Sequence, residues 1–157
     1  MAVVITNQTQ TEINRLAISE QNKILKYVIQ KIKDSSIFGN HEINFNDLKN
    51  DGTNIGVILN SGSKKRSIYV DGGYDAVIPI TVIYRNVGNA TDDKTLHGID
   101  LVNQLGVWLE EHIVRDKSIT GYTIYSIVQN TQANVMYRDE HGTEDVGAEF
   151  SINYSKD

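Results

Sequence analysis

The sequence predicts an α+β fold, a mainly antiparallel sheet with two helices packed on one face. Three observations carry this. Val146, Ala148, Phe150, Ile152 and Tyr154 alternate strictly with Gly147, Glu149, Ser151, Asn153 and Ser155, as in a half-buried strand. Ala76, Ile78, Ile80, Val82 and Tyr84 repeat that period beside the mixed set Val77, Pro79, Thr81, Ile83 and Arg85. Two stretches carry apolar residues at helical spacing, and the order helix, strands, helix, strands is that of an α+β domain.

The elements follow in order. Residues 2–6 read as a short strand or an arm, with an N-terminal arm over 1–8. Thr9 and Glu12 have capping-box spacing. Ile13, Leu16, Ala17, Ile24, Leu25, Val28, Ile29 and Ile32 form a helical stripe with a polar gap at Glu20 and Gln21. This predicts one helix from about Gln10 to Lys33, or else a break near Ser19, itself a good N-cap. Ser35 to Asn54 is a polar connector pinned by Ile37, Phe38, Ile43, Phe45 and Leu48. Ile55, Val57 and Leu59 suggest a strand, and Asn60 to Arg66 a flexible loop.

Arg66 to Arg85 predicts a strand, a turn at Asp71-Gly72-Gly73, and a longer strand. Pro79 donates no backbone hydrogen bond, so this strand is expected at an edge or bulged there. Thr91 to Asp93 has N-cap and first-turn chemistry. Leu96, Ile99, Val102, Leu105, Trp108 and Leu109 then form the stripe of a second helix. Gly98 and Gly106 each cost about 1 kcal/mol of helix propensity, which close packing on the sheet would explain. Leu101 and Val107 lie off that stripe, where another chain could cover them. A strand at YTIYSIVQN and a second hairpin joined by RDEHGTED complete the chain. No internal repeat is visible in the sequence, so the whole of 1–157 is expected to be one domain.

The chain has 157 residues and a net charge of −5, which argues against a general nucleic-acid coat. It has no cysteine, so no disulfide or thiolate metal site can hold it. The first ten residues do not read as a signal peptide, and no segment has the roughly 18 consecutive apolar residues of a membrane span. A soluble protein made inside the cell is the expectation. The three Asn-x-Ser/Thr matches, at Asn7, Asn89 and Asn153, mean little without secretion.

The residues offer no chemistry that would make an enzyme. His41, His97, His112 and His141 share no motif. Glu110, Glu111 and His112 are adjacent and point apart on a helix. Asp139 to Asp145 lacks the ligand order of a calcium loop. No GK[ST] follows Asp71-Gly72-Gly73, and no serine sits in a nucleophile elbow. No catalytic, cofactor or metal residues are therefore expected, and no cofactor. The one basic cluster is Lys64, Lys65 and Arg66. It reads either as a solvated loop or as a contact for an acidic partner or a phosphate. Eight tyrosines stand against three phenylalanines; tyrosine suits interfaces, and it also suits strands.

The segment Tyr69-Val-Asp-Gly-Gly-Tyr74, the strand ending Tyr84-Arg85, and the helix from Asp100 to Glu110 resemble the minor capsid or tail terminator proteins of long-tailed phages and prophages of Gram-positive bacteria. The resemblance is densest over Arg66 to Glu111. It implies a structural virion protein, assembled in the bacterial host cytoplasm. Such a protein forms a ring, typically a hexamer, at the head-proximal end of the tail tube. The ring stops tube growth and joins the tail to the head. The implied partners are further copies of the chain, the major tail tube protein and the head–tail connector, without membrane or strong nucleic-acid binding. Lys64, Lys65, Arg66, Tyr69, Asp71 and Tyr74 are the expected interface residues. The rival readings are another head–tail joining protein, a small-ligand or nucleic-acid binding module using Lys64, Lys65 and Arg66, and, more weakly, a hydrolase.

Overall fold

The computed structural model describes residues 15–88 and 91–157. The expected N-terminal arm, the Thr9–Glu12 capping box, the start of the first predicted helix, Asn7 and Asn89 lie outside the described residues. The order is α1 (Ile18–Ser35), β1 (Glu42–Phe45), β2 (Asn54–Leu59), β3 (Lys64–Ile68), β4 (Tyr74–Asn86), α2 (Asp92–His112), β5 (Tyr122–Gln129), β6 (Asn134–Arg138) and β7 (Glu144–Lys156). The seven strands form one sheet in the order β1-β2-β4-β7-β5, with β3 paired to β4 and β6 paired to β7. Every pairing is antiparallel except β1 with β2.

Both helices cover one face of this sheet. Ile24, Val28, Ile80, Val82, Leu105, Phe150 and Ile152, all expected in the core, are fully buried there. Trp108, expected with them, is only partly buried. The face that α2 presses down is Gly98, Val102, Leu105, Gly106 and Leu109. A Cβ on Gly98 would lie 3.0 Å from the Tyr84 ring, and one on Gly106 would meet the Gln129 side chain. The two glycines therefore bring α2 close to the sheet, as their cost in propensity implied. Trp108 is displaced sideways onto His112, with ring centres 4.3 Å apart, and Leu96 is 64% exposed.

The helix α1 begins later than the stripe predicted. Ala17 is extended and caps it without a side-chain bond, so a continuous helix from Gln10 to Lys33 is not formed; the helix starts at Ile18, and Ser19 lies in its first turn rather than at its cap. The polar connector contains β1, four residues that add a parallel strand beside β2. Lys64 to Arg66 belong to β3 rather than to a loop; the loop is confined to 60–63. Pro79 sits mid-sheet rather than at an edge. Its carbonyl accepts from the Asn60 amide where the neighbour of β4 changes from β3 to β2. Its missing donor thus falls in a seam where no ladder bond is lost.

The sheet also repeats itself. Lys64 pairs with Val77, Lys65 with Ala76, Ser67 with Asp75 and Ile68 with Tyr74. Each pair recurs 70 residues later as Asn134–Gly147, Val135–Val146, Tyr137–Asp145 and Arg138–Glu144, with the bulge at the same place. Ile80 pairs with Phe150, its own counterpart, so a local twofold axis passes between them. Over these two hairpins only Gly72/Gly142, Asp75/Asp145 and Tyr84/Tyr154 are identical. The duplication lives in backbone register, which is why the sequence conceals it.

Candidate interaction surface

The hairpin β3–β4 turns through Tyr69 to Gly73. The Tyr69 amide donates to the Gly73 carbonyl at 2.7 Å, and the Gly72 amide to the Tyr69 carbonyl at 3.0 Å. Asp71 Oδ1 accepts from the Gly73 amide, locking the turn. Gly72 has φ +89°, which glycine adopts without strain. Gly73 passes so close to the chain end that a Cβ there would lie 2.7 Å from the Lys156 carbonyl.

The register separates the three cations of β3. Lys64 lies beside Val77, on the face away from the helices. Arg66, at the bulge, stays on that outer face and reaches Asn153 at 3.4 Å. Lys65 is on the helix side, its Nζ 4.5 Å from the centre of the Tyr74 ring. A single phosphate would not find the three converging on it. Tyr69 donates to Asp75 Oδ2 at 2.5 Å, which holds its phenol above the ordinary value, and Val70 beside it is 69% exposed. Tyr125, exposed in β5, lies by Ser155 on the same outer face.

Tyr74 departs from the expected interface set. It is 6% exposed, and its hydroxyl donates to the carboxylate of Glu20 in α1. Tyr122 and Tyr154 donate to the same carboxylate at 3.0 and 2.7 Å. Glu20, read from the sequence as part of a polar gap, is 5% exposed. Three phenols on one carboxyl group satisfy its buried oxygens, and they fasten the start of α1 to β4, β5 and β7. Burial first, and the bond to Glu20 second, raise the pKa of all three, that of Tyr122 to about 12. The excess of tyrosine over phenylalanine was the visible sign of this cluster.

The counterpart hairpin, β6–β7, has the same backbone and different chemistry. Asp139 Oδ1 accepts from the amides of His141 and Thr143, each at 2.9 Å. Glu144 is fully buried, paired with Arg138 and accepting from Thr95 at 2.6 Å. Arg85 grips Asp145 with two bonds of 2.6 and 2.8 Å. Glu140 and Glu149 remain exposed, and Met136 and Tyr137 are each 51% exposed.

The other predicted chemistry is dispersed. His112 Nδ1 lies 2.9 Å from the Trp108 carbonyl, His41 stands edge-on to Tyr84, and His141 approaches Glu140 at 3.7 Å. Among the described residues no three His, Asp or Glu side chains gather as a metal site would require. A groove of about 380 Å³ beside α2 is lined by amides, Asn103, Gln129, Asn130 and Gln132 among them. Among the described residues no helix is long and apolar enough to cross a membrane. No family model and no curated protein matches the chain.

Proposed function

We propose that this chain is a structural phage virion protein of the tail terminator type, a ring at the head-proximal end of the tail tube that stops tube growth and joins tail to head. The observation that carries the reading is the β3–β4 hairpin. The segment that resembles the family presents Lys64, Arg66, Tyr69 and Val70 outward on a turn locked by Asp71. A rigid hairpin with exposed aromatic and cationic side chains suits protein contact, because little conformational freedom is lost on docking.

The ring would contact further copies of itself, the major tail tube protein and the head connector. Complementation of a null phage or prophage tests this. Without the protein, tails should overgrow or fail to join heads; normal tails and full infectivity would overturn the reading. Lys65 should be left intact in variants of the hairpin, since a glutamate there would crowd the Tyr74–Glu20 contact. Lys64→Glu with Arg66→Glu is the suitable change. Surface substitutions of this kind alter stability by about 0.5 kcal/mol or less each, so a loss of tail joining would report on contact.

A further inference from the structure

The outward face of α2 is apolar along one line and acidic beside it. Leu96 and Val107, 64% and 57% exposed, lie on that line about three turns apart, with Asp100 between them. Beside Val107 a groove of about 520 Å³ is lined by Ile37 and Trp108, both partly buried. Exposed Asp100 and Glu111 line it too, about 16 Å apart along the helix at 1.5 Å per residue. On the other flank of Val107 lies the amide-lined groove, with Glu110 in its wall. No lysine or arginine lines either groove. Among the described residues no cation forms an ion pair with Asp100, Glu110 or Glu111. Glu110 and Glu111 stand in the last turn of α2, where the helix dipole disfavours anions.

We propose that the outward face of α2 is a docking surface for a basic amphipathic helix of a protein other than this chain. The occupant sets apolar side chains on Val107, Trp108 and Ile37, and lysines or arginines against Asp100, Glu110 and Glu111. An amphipathic helix laid in an apolar groove is a general mode of recognition, with anchors at i, i+3, i+4 and i+7. The span of about 16 Å between Asp100 and Glu111 matches three turns of such a helix. The unpaired acids decide the sign of the occupant. An acidic segment would meet like charge, and a neutral one would desolvate the acids without a partner. This chain has a basic helix of its own, α1, with Lys23, Lys26, Lys31 and Lys33. Its apolar side, Ile24, Leu25, Val28 and Ile32, is already buried in the core, so a second copy has no such helix to lend. The surface stands on the groove and its charges, independently of the tail reading.

The test uses the full chain and a synthetic helix of leucine and lysine about 14 residues long, with leucines at i, i+3, i+4 and i+7. Trp108 is the chain's single tryptophan and lines the groove, so its fluorescence reports on this site. At low salt the peptide should shift that emission to saturation, and added salt should weaken the binding. The same peptide with glutamate in place of lysine should give no shift. Asp100→Asn/Glu111→Gln should weaken binding at least about threefold, since two exposed charge contacts are lost. Val107→Lys should weaken it at least about tenfold, since a cation then stands at the centre of the surface. Asp51→Asn/Glu140→Gln removes as much charge from exposed positions that line neither groove, and should leave binding unchanged. Circular dichroism of each variant establishes that it is folded. An emission that the lysine peptide does not move, equal binding of the two peptides, or equal binding by wild type and Asp100→Asn/Glu111→Gln would overturn the proposal. So would a shift that grows with protein concentration when no peptide is present, because a second copy would then fill the groove. Tail length in the null phage tests the terminator reading separately.

Discussion

At the scale of the residue, Glu20 is the group on which most depends. It accepts three hydroxyl bonds in a buried site, so its loss strands three donors at once. Each unsatisfied buried group costs about 1–3 kcal/mol, and Glu20→Ala should therefore destabilise the fold by about 3 kcal/mol or more in a urea titration. Glu20→Gln keeps one acceptor oxygen and should lose less. An alanine variant within about 0.5 kcal/mol of wild type would show that the clamp is inert. The same cluster sets an alkaline limit. Tyr74, Tyr122 and Tyr154 hold their protons in the folded state above the ordinary tyrosine pKa of about 10, Tyr122 up to about 12. Below pH 10 that contribution to stability is complete. Above it the unfolded chain binds fewer protons than the folded one, and stability falls as pH climbs through 10 toward 12. Phenolate absorbance should show part of the tyrosine complement titrating late and together with unfolding. A single titration at the ordinary tyrosine value, with the fold intact, would contradict this.

At the scale of the element, the strands with one face on the core and both hairpins were legible, while β1 and the start of β3 were not. Ala76 to Tyr84 and Val146 to Tyr154 face the core as their alternation indicated, because their inward positions are apolar without exception. The edge strand β3 carries Lys64, Lys65 and Arg66 where an apolar alternation would mark a strand. Charged edges discourage pairing with other chains, so an edge strand resembles a loop by composition. The short β1 is hidden for lack of length. In α2 the side chains themselves misled: the buried face is set by Gly98 and Gly106, which have no side chain to count, and Trp108 and Leu96 turn aside. Gly98→Ala tests that packing. The substitution improves helix propensity by about 1 kcal/mol, yet its Cβ would press on Tyr84, itself stacked on Phe38. Overpacking of a filled core costs about 1–3 kcal/mol, so a net loss of about 1 kcal/mol is expected. A variant more stable than wild type would mean that α2 can lift away freely.

At the scale of the whole molecule, a duplicated sheet has been made asymmetric by its surface chemistry. Register and bulge recur at a spacing of 70 residues, while the side chains carried by the two hairpins differ at nearly every position. The interface residues expected from the sequence divide accordingly. Lys64, Arg66, Tyr69 and Asp71 lie at the surface of the hairpin, Lys65 leans on Tyr74, and Tyr74 itself belongs to the interior. That division was illegible in the sequence, because Lys64 to Arg66 read as a loop, where faces do not alternate, and because Glu20, which holds Tyr74 inside, is 54 residues away in the chain.

The most direct test of the proposed terminator role is to image the head-proximal ends of tails by cryo-electron microscopy. Tails should carry a closed ring of this chain there, one layer deep. Tail ends bearing no copy of the chain, in particles that are otherwise complete, would contradict the terminator reading.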